Sequence, residues 1–256
     1  MAQDNILDLA ARRSGVDLSP CAACPVRGLS ICGVLDDEQI RRLSAITSEV
    51  TLAPGQALFY EQDTAEHLYV IKTGCARVYK LLADGRRMVT GFLFTSDLVG
   101  LAEAGIYAYS CEAVTGLALC RFPRAKLQTM FEQYPHMERR MLEIATNELA
   151  AAQDQMVLLG RKTAQEKLAS FLYLLMLRIE RHSGKGGSIT VPMSRGDIAD
   201  HLGLTTESVS RCFTQFRKIG LIKLDTAHSV TVLDRDKLTA MTGSEDDGFE
   251  PHSAAL

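Results

Sequence analysis

The stretch that most restricts what this chain can fold into is VPMSRGDIADHLGLTTESVSRCFTQFRKIGLIKL, residues 191–224. Ser194 and Asp197 have the spacing of a capping pair, which predicts a short helix over 195–202. Gly203-Leu204 breaks it, Thr205 can cap a second helix running to Ile219, and Gly220 takes the position just past its end. Two short helices around a glycine-containing turn predict a helix-turn-helix, and LIKLDTAHSVTVLD after it reads as two strands around a turn, a wing. On the second helix Val209, Cys212, Phe213 and Phe216 share one side and read as core. Glu207, Ser210, Arg211 and Thr214 share the other. Arg takes guanine O6 and N7 as a bidentate pair, Glu accepts from a cytosine amino group, and Ser is permissive, so Glu207, Ser210 and Arg211 are the expected base readers. Arg195, Thr205, Thr206, Thr214, Arg217 and Lys218 are expected to meet the DNA backbone.

The whole chain carries a formal charge of −3, which is unpromising for a DNA binder until it is divided. Residues 161–240 hold 13 Lys/Arg against 8 Asp/Glu, a net +5; residues 1–160 hold 15 against 19, a net −4; the tail from 241 holds four acids and no bases, again −4, and the three sum to −3. Basic charge is thus confined to the module that reads as DNA-binding. No enzyme is expected: the six histidines do not cluster at ligand spacing, and there is no nucleophile elbow, phosphate-binding glycine loop or zincin motif.

Upstream the pattern changes. Residues 35–46 read as a helix, with Asp36 as N-cap and Ile40, Leu43 and Ile46 at helical spacing. From about 50 to 123, short β-rich runs (ALFYE, LYVIK, ARVYKLL, RMVTGFL, LALCRF) alternate with turn signals, which predicts a jelly roll, a double-stranded β-helix. Asp84-Gly85 predicts a hairpin with positive φ at both central residues. Pro123 ends the strands; a short helix over 124–132 and a long one from Pro135 to about 159 follow, then a helix over 163–181 and a loop at 183–187. Along the long helix Leu142, Ala145, Leu149, Ala152, Met156 and Leu159 recur at alternating spacings of three and four. Two readings stand: a coiled-coil-like dimer seam, or a helix lying on its own domain. In a symmetric seam Asp154 or Glu148 would sit near its own copy and repel it, making the dimer marginal.

The expected organisation is α+β: an N-terminal segment 1–34 with a possible amphipathic turn near Ile6, a β-roll sensor domain 35–130, a dimerisation helix 131–160, a winged helix-turn-helix 161–240 and an acidic disordered tail 241–256. No apolar run reaches membrane-span length, and MAQDNILDLAARRSG lacks a signal-peptide core, so a cytoplasmic location and no membrane partner are expected. Seven cysteines, an odd count, argue against a disulfide framework there. Three of them, Cys21, Cys24 and Cys32, sit in CAACPVRGLSIC, and on their own they point to metal, redox chemistry or burial.

In this order of parts the chain resembles the CRP/FNR family of bacterial transcription regulators, and within it the FNR branch. The motifs are TGFLFTSDLVG at 90–100, QDQMVLLGRKTAQEKLASFL at 153–172 and SRGDIADHLGLTTESVSR at 194–211, and the resemblance spans roughly 20–235. It implies a cyclic-nucleotide-binding-like sensor domain, a homodimer, double-stranded DNA and RNA polymerase as partners, and a Glu-x-x-Ser-Arg reading set matched by Glu207, Ser210 and Arg211, for a palindrome of TTGAT half-sites. CRP-like members carry an Arg where this chain has Thr206, which points away from a CRP-type operator. No Arg lies between Arg87 and Arg121 to hold a buried phosphate, so a cyclic nucleotide effector is not expected. The branch implies a 4Fe-4S cluster on Cys21, Cys24, Cys32 and one β-roll cysteine. Cys120 in LALCRFP matches the family position, with Cys111 as the alternative; strand alternation separates Cys120 in facing from Leu119 and Phe122. Cys75 and Cys212 read as buried small hydrophobes. Pro25 lacks an N–H to donate to a cluster sulfur, a departure expected to alter oxygen sensitivity. The hairpin tip Ala83 to Arg87 is the expected polymerase surface. The implied function is an oxygen-responsive activator and repressor of anaerobic genes; the alternative is a cluster-free regulator sensing zinc, nitrogen oxides or thiol redox state.

Overall fold

Strand periodicity of two builds the sensor domain. On β4 (Ala76–Leu81) Ala76 and Val78 face one way, Arg77 and Tyr79 the other. In the computed structural model, which describes residues 21–183, 188–226 and 228–243, this alternation recurs in two antiparallel four-stranded sheets. One has the order β1 (Ser48–Leu52), β10 (Leu117–Pro123), β3 (His67–Thr73), β6 (Leu98–Val99); the other β2 (Ala57–Phe59), β9 (Ser110–Ala113), β4, β5 (Arg87–Leu93). β7 (Ala102–Glu103) and β8 (Ile106–Tyr107) form a separate ribbon. Tyr69, Ile71 and Leu119 of the first sheet meet Ala76, Val78, Cys111 and Ala113 of the second in one apolar core. The amphipathic turn near Ile6, the loop at 184–187 and the tail from 244 lie outside the described residues.

Both outer faces of this roll are covered, by different parts of the chain. Leu68, Val70 and Phe122 on the first sheet pack with α1 (Asp37–Ile46), α2 (Arg124–Gln133), the start of α3 (Pro135–Arg161) and the cysteine segment. α1 begins with a reciprocal cap between Asp36 and Gln39. Tyr79, Val89 and Phe92 on the second sheet share a core with α4 (Ala164–Ser183) and the winged helix. α3 spans the distance between them: Met137 near its start is buried on the cysteine side, and Leu158 near its end in the DNA-binding core. Between those ends Leu142, Leu149 and Met156 are 67%, 61% and 70% exposed, an apolar stripe no part of the chain covers among the described residues.

The C-terminal module contains α5 (Arg195–Leu202), α6 (Thr206–Lys218), α7 (Arg235–Ala240) and a three-stranded sheet of β11 (Ser188–Thr190), β13 (Ser229–Val232) and β12 (Ile222–Thr226). The turn expected at Asp84-Gly85 differs in type. Leu82 and Arg86 close a three-residue loop, with Gly85 at φ 83° and Asp84 outside the positive-φ region. The Asp84 carboxylate accepts from the Arg86 amide at 3.0 Å and Nε at 2.8 Å, which favours this loop over one needing Asp84 left-handed. No helix among the described residues is long and apolar enough to cross a membrane.

Candidate functional site

The helix-turn-helix is set by local chemistry. The Ser194 hydroxyl accepts from the Asp197 amide at 3.0 Å and the Asp197 carboxylate accepts from the Ser194 amide at 3.1 Å, the reciprocal cap that starts α5. Gly203, at φ 60°, turns the chain where a side chain would be strained. The Thr205 hydroxyl accepts from the Ser208 amide at 3.1 Å and starts α6. Val209, Cys212, Phe213 and Phe216 are buried, and Glu207, Ser210, Arg211 and Thr214 are exposed, as the spacing predicts. Glu207 and Arg211 stand 4.0 Å apart with side chains 79% and 71% exposed. Ser210 and Thr214 turn their hydroxyls onto the carbonyls of Thr206 and Ser210, at 2.8 and 3.0 Å. Thr206, Arg217 and Lys218 are exposed, Thr205 is occupied by its cap, and the Arg195 guanidinium lies over the Phe213 ring at 3.3 Å.

The thiols sort by sheet face. Cys111 is fully buried between the two sheets of the roll, where burial pushes its thiol up to about 12. Cys120 points outward and is half-buried in the apolar nest that holds Cys21, Cys24 and Cys32. Its thiol is pushed up to about 12, first by burial and then by the proximity of Cys24, Cys21 and Cys32. Burial likewise lifts Cys32 to about 11, against the hydrogen bond to Ser30, with Cys21 and Cys24 adding to the rise. Phe122 does not face away from Cys120 as expected: two residues along a strand is one full pleat, and both lie on the outer face. Val26 and Ile31 anchor the segment through two short 3-10 turns, Arg27–Leu29 and Ile31–Val34, the second packed on α3. Gly33 lets the turns close: a Cβ there would meet the Gly28 carbonyl oxygen at 2.8 Å. Arg27 beside Cys32 and Lys72 beside Cys120 favour the thiolates. Soft thiolates on two separate elements suit an iron–sulfur or zinc centre. As placed, they do not close on one ion: no group of three or more His, Cys, Asp or Glu that could hold a metal ion occurs among the described residues. Cys75 and Cys212 are buried.

Residues 166–241 match the family described as Crp-like helix-turn-helix domain, and residues 49–134 the one described as cyclic nucleotide-binding domain. The transcriptional activatory protein AadR of Rhodopseudomonas palustris is 41% identical over 221 residues, 86% of this chain and 92% of its own length. This chain belongs to the CRP/FNR family of transcription regulators. The transcriptional activator protein FnrL of Cereibacter sphaeroides is 35% identical over 238 residues, 91% of this chain and 96% of its own. The solved structure of FixK2 from Bradyrhizobium japonicum superposes with a TM-score of 0.73 at 32% identity, covering 78% of this chain and 99% of that one.

Membership of the CRP/FNR family places DNA binding in the helix-turn-helix domain and makes the chain a regulator and not an enzyme. Two features of this CRP/FNR chain escape sequence reasoning. Arg124, just past the arginine-free stretch between Arg87 and Arg121, reaches the turn after β6 and donates to the Gly100 carbonyl. Arg87, at the edge of the expected polymerase surface, is turned away from solvent onto α5, where it meets Asp197 and Asp200. Only Ala83 to Arg86 of that tip is exposed. Asp197 is legible as a cap but not as the partner of residues more than a hundred positions upstream.

Proposed function

We propose that this regulator is a homodimer in the cytoplasm that senses oxygen through a 4Fe-4S cluster on Cys21, Cys24, Cys32 and Cys120, and that it reads palindromes of TTGAT half-sites to activate or repress anaerobic genes. One observation carries the reading: Cys120 leaves the roll on the face where the N-terminal thiols lie, against the start of α3, whereas Cys111 is sealed inside. A cluster bound there supplies an oxygen-labile link between the segment and the roll. The chain's own residues do the rest. Val26 and Ile31 pack in the same nest as Met137, so a tied segment steadies the first turns of α3. A steadied α3 offers Leu142, Ala145, Leu149, Ala152 and Met156 to a second copy; Leu159, the sixth seam position, is packed against the DNA-binding core of its own chain. Two α6 helices then enter successive major grooves, with Arg211 on guanine, Glu207 on its cytosine partner and Ser210 beside them. Thr206, Thr214, Arg217 and Lys218 meet the backbone, joined by Arg195 and Thr205 at the helix starts. Binding that stabilises the dimer is linked through it to DNA affinity. Ala83 to Arg86 is the surface offered to RNA polymerase, and no cyclic nucleotide is required.

A second reading, a cluster-free regulator sensing zinc, nitrogen oxides or thiol state, draws on the same nest, where Cys21, Cys24, Cys32 and Cys120 lie together as free thiols. Iron, acid-labile sulfide and visible absorption of anaerobically purified Cys120→Ala and Cys111→Ala variants test the assignment. Iron lost with Cys120→Ala and kept with Cys111→Ala is expected. The reverse moves the fourth ligand to Cys111, and a colourless native protein supports the second reading.

A further inference from the structure

Beside the apolar core they share, sensor domain and helix-turn-helix are also joined by charge, at a place that is neither the thiol nest nor the DNA face. Arg87 on β5 donates to Asp200 from Nε at 2.9 Å and from Nη2 at 2.7 Å, and to Asp197 from Nη2 at 2.6 Å. Arg77 on β4 donates to Asp197 at 2.9 Å and pairs with Glu112 on β9. The Asp197 side chain is 5% exposed. His201 Nδ1–H donates to the Val89 carbonyl at 3.1 Å, and Gln155 of α3 donates to the His201 carbonyl at 3.0 Å. Arg178 of α4 pairs with Asp97 of the roll.

The contacts at Asp197, Asp200 and His201 hold α5, and α5 carries α6 across the turn at Gly203. The angle between the recognition helix and the exposed stripe on α3 is therefore set by the roll. Buried ion pairs are weak sources of stability but directional ones, since both partners need particular geometry. A palindrome needs two recognition helices about 34 Å apart. A domain free to swivel at Lys162, where α3 ends, gives up that freedom on binding; one already held does not.

We propose that Arg77 and Arg87, with Asp197 and Asp200, are positioning residues that fix the recognition helix for one half-site spacing. They act through α5 and touch no base. The reading face of α6 stays open beside this contact, so the contact presents that face and does not mask it.

The inference rests on the palindrome reading, which the native protein tests by itself. Full-length protein prepared without oxygen is titrated by fluorescence anisotropy onto duplexes with two TTGAT half-sites, with the same sites one or two base pairs further apart, and with a single half-site. The native protein is expected to prefer one spacing strongly. Arg87→Ala and Asp200→Ala are expected to bind the preferred palindrome about ten-fold more weakly, to tolerate altered spacing, and to keep native affinity for the single half-site. That last arm also shows that the variants are folded. The double variant is expected to be no weaker than the weaker single one, because both remove the same contact. A native protein indifferent to spacing sinks the palindrome reading and the lock with it. A native protein that discriminates while both variants do so equally well overturns the lock alone. Tighter palindrome binding by Arg87→Ala also overturns it, since the contact would then be a restraint.

Discussion

Removing the Arg211 guanidinium isolates base readout from folding. Its side chain is 71% exposed, and the 4.0 Å approach to Glu207 is an exposed pair of the kind that adds little to stability. The Arg211→Ala protein should therefore melt with the native one. A bidentate Arg–guanine contact discriminates by about 1–3 kcal/mol, and a dimer uses it twice, so the palindrome should lose about 2–6 kcal/mol. That is a weakening of roughly 30-fold to 20,000-fold. Anisotropy titrations on the palindrome and on a version with both TTGAT guanine pairs replaced by A·T separate readout from simple attraction. The native protein should discriminate strongly, and Arg211→Ala should keep only the smaller preference that Glu207 supplies through the cytosine partner. Lys218→Ala is the control: it should weaken both equally and make the salt dependence shallower by about one charge per half-site. An Arg211→Ala protein that prefers the guanine palindrome as strongly as the native one would refute the assignment of this helix face.

Leu149→Ala should dissociate the dimer, because each copy loses a leucine burial of about 1.5–3 kcal/mol and the symmetry counts it twice; Asp154→Ala should tighten it, and sedimentation by analytical ultracentrifugation reads both. His201 is fully buried, which lowers its pKa to about 4, so the folded chain resists a proton that the unfolded chain accepts near 6.5. Stability is therefore complete above about pH 6.5 and is lost as pH falls toward 4, by about 2 kcal/mol at pH 5. Urea unfolding at pH 7 and pH 5 should show this step in the native protein and not in His201→Gln. Burial also raises the Asp197 carboxyl, but Ser194, Arg77 and Arg87 outweigh it and hold the group below its usual range, ionised through the same window. Replacing Pro25, exposed beside Cys24, with Ala adds an N–H donor, and bleaching in air should change rate; an unchanged rate removes Pro25 from the account.

The DNA face was legible because its determinants are close in sequence. Ser194 with Asp197, and Thr205 with Ser208, are caps three residues apart, and the apolar stripe from Val209 to Phe216 lies on one helix. The roll was legible as strands, since alternation and turn residues are local signals, but its turn chemistry was not. Asp84 uses its carboxylate on Arg86, a choice between two local solutions that the pair Asp-Gly does not decide. The choice between Cys111 and Cys120 depended on which face of each strand is covered, and only packing decides that. Least legible was the contact between domains. Arg77 and Arg87 look like ordinary outward-facing strand residues, and their partners on α5 lie 110 to 120 positions away.

If the four thiols hold an oxygen-labile cluster that controls DNA binding, colour and DNA affinity must be lost together. Anaerobic purification, with a visible spectrum and a TTGAT-palindrome binding curve taken before and after exposure to air, tests it most directly. A coloured protein whose absorption and palindrome affinity fall together in air is predicted. A colourless protein, or one that binds the palindrome equally well after air exposure, would contradict it.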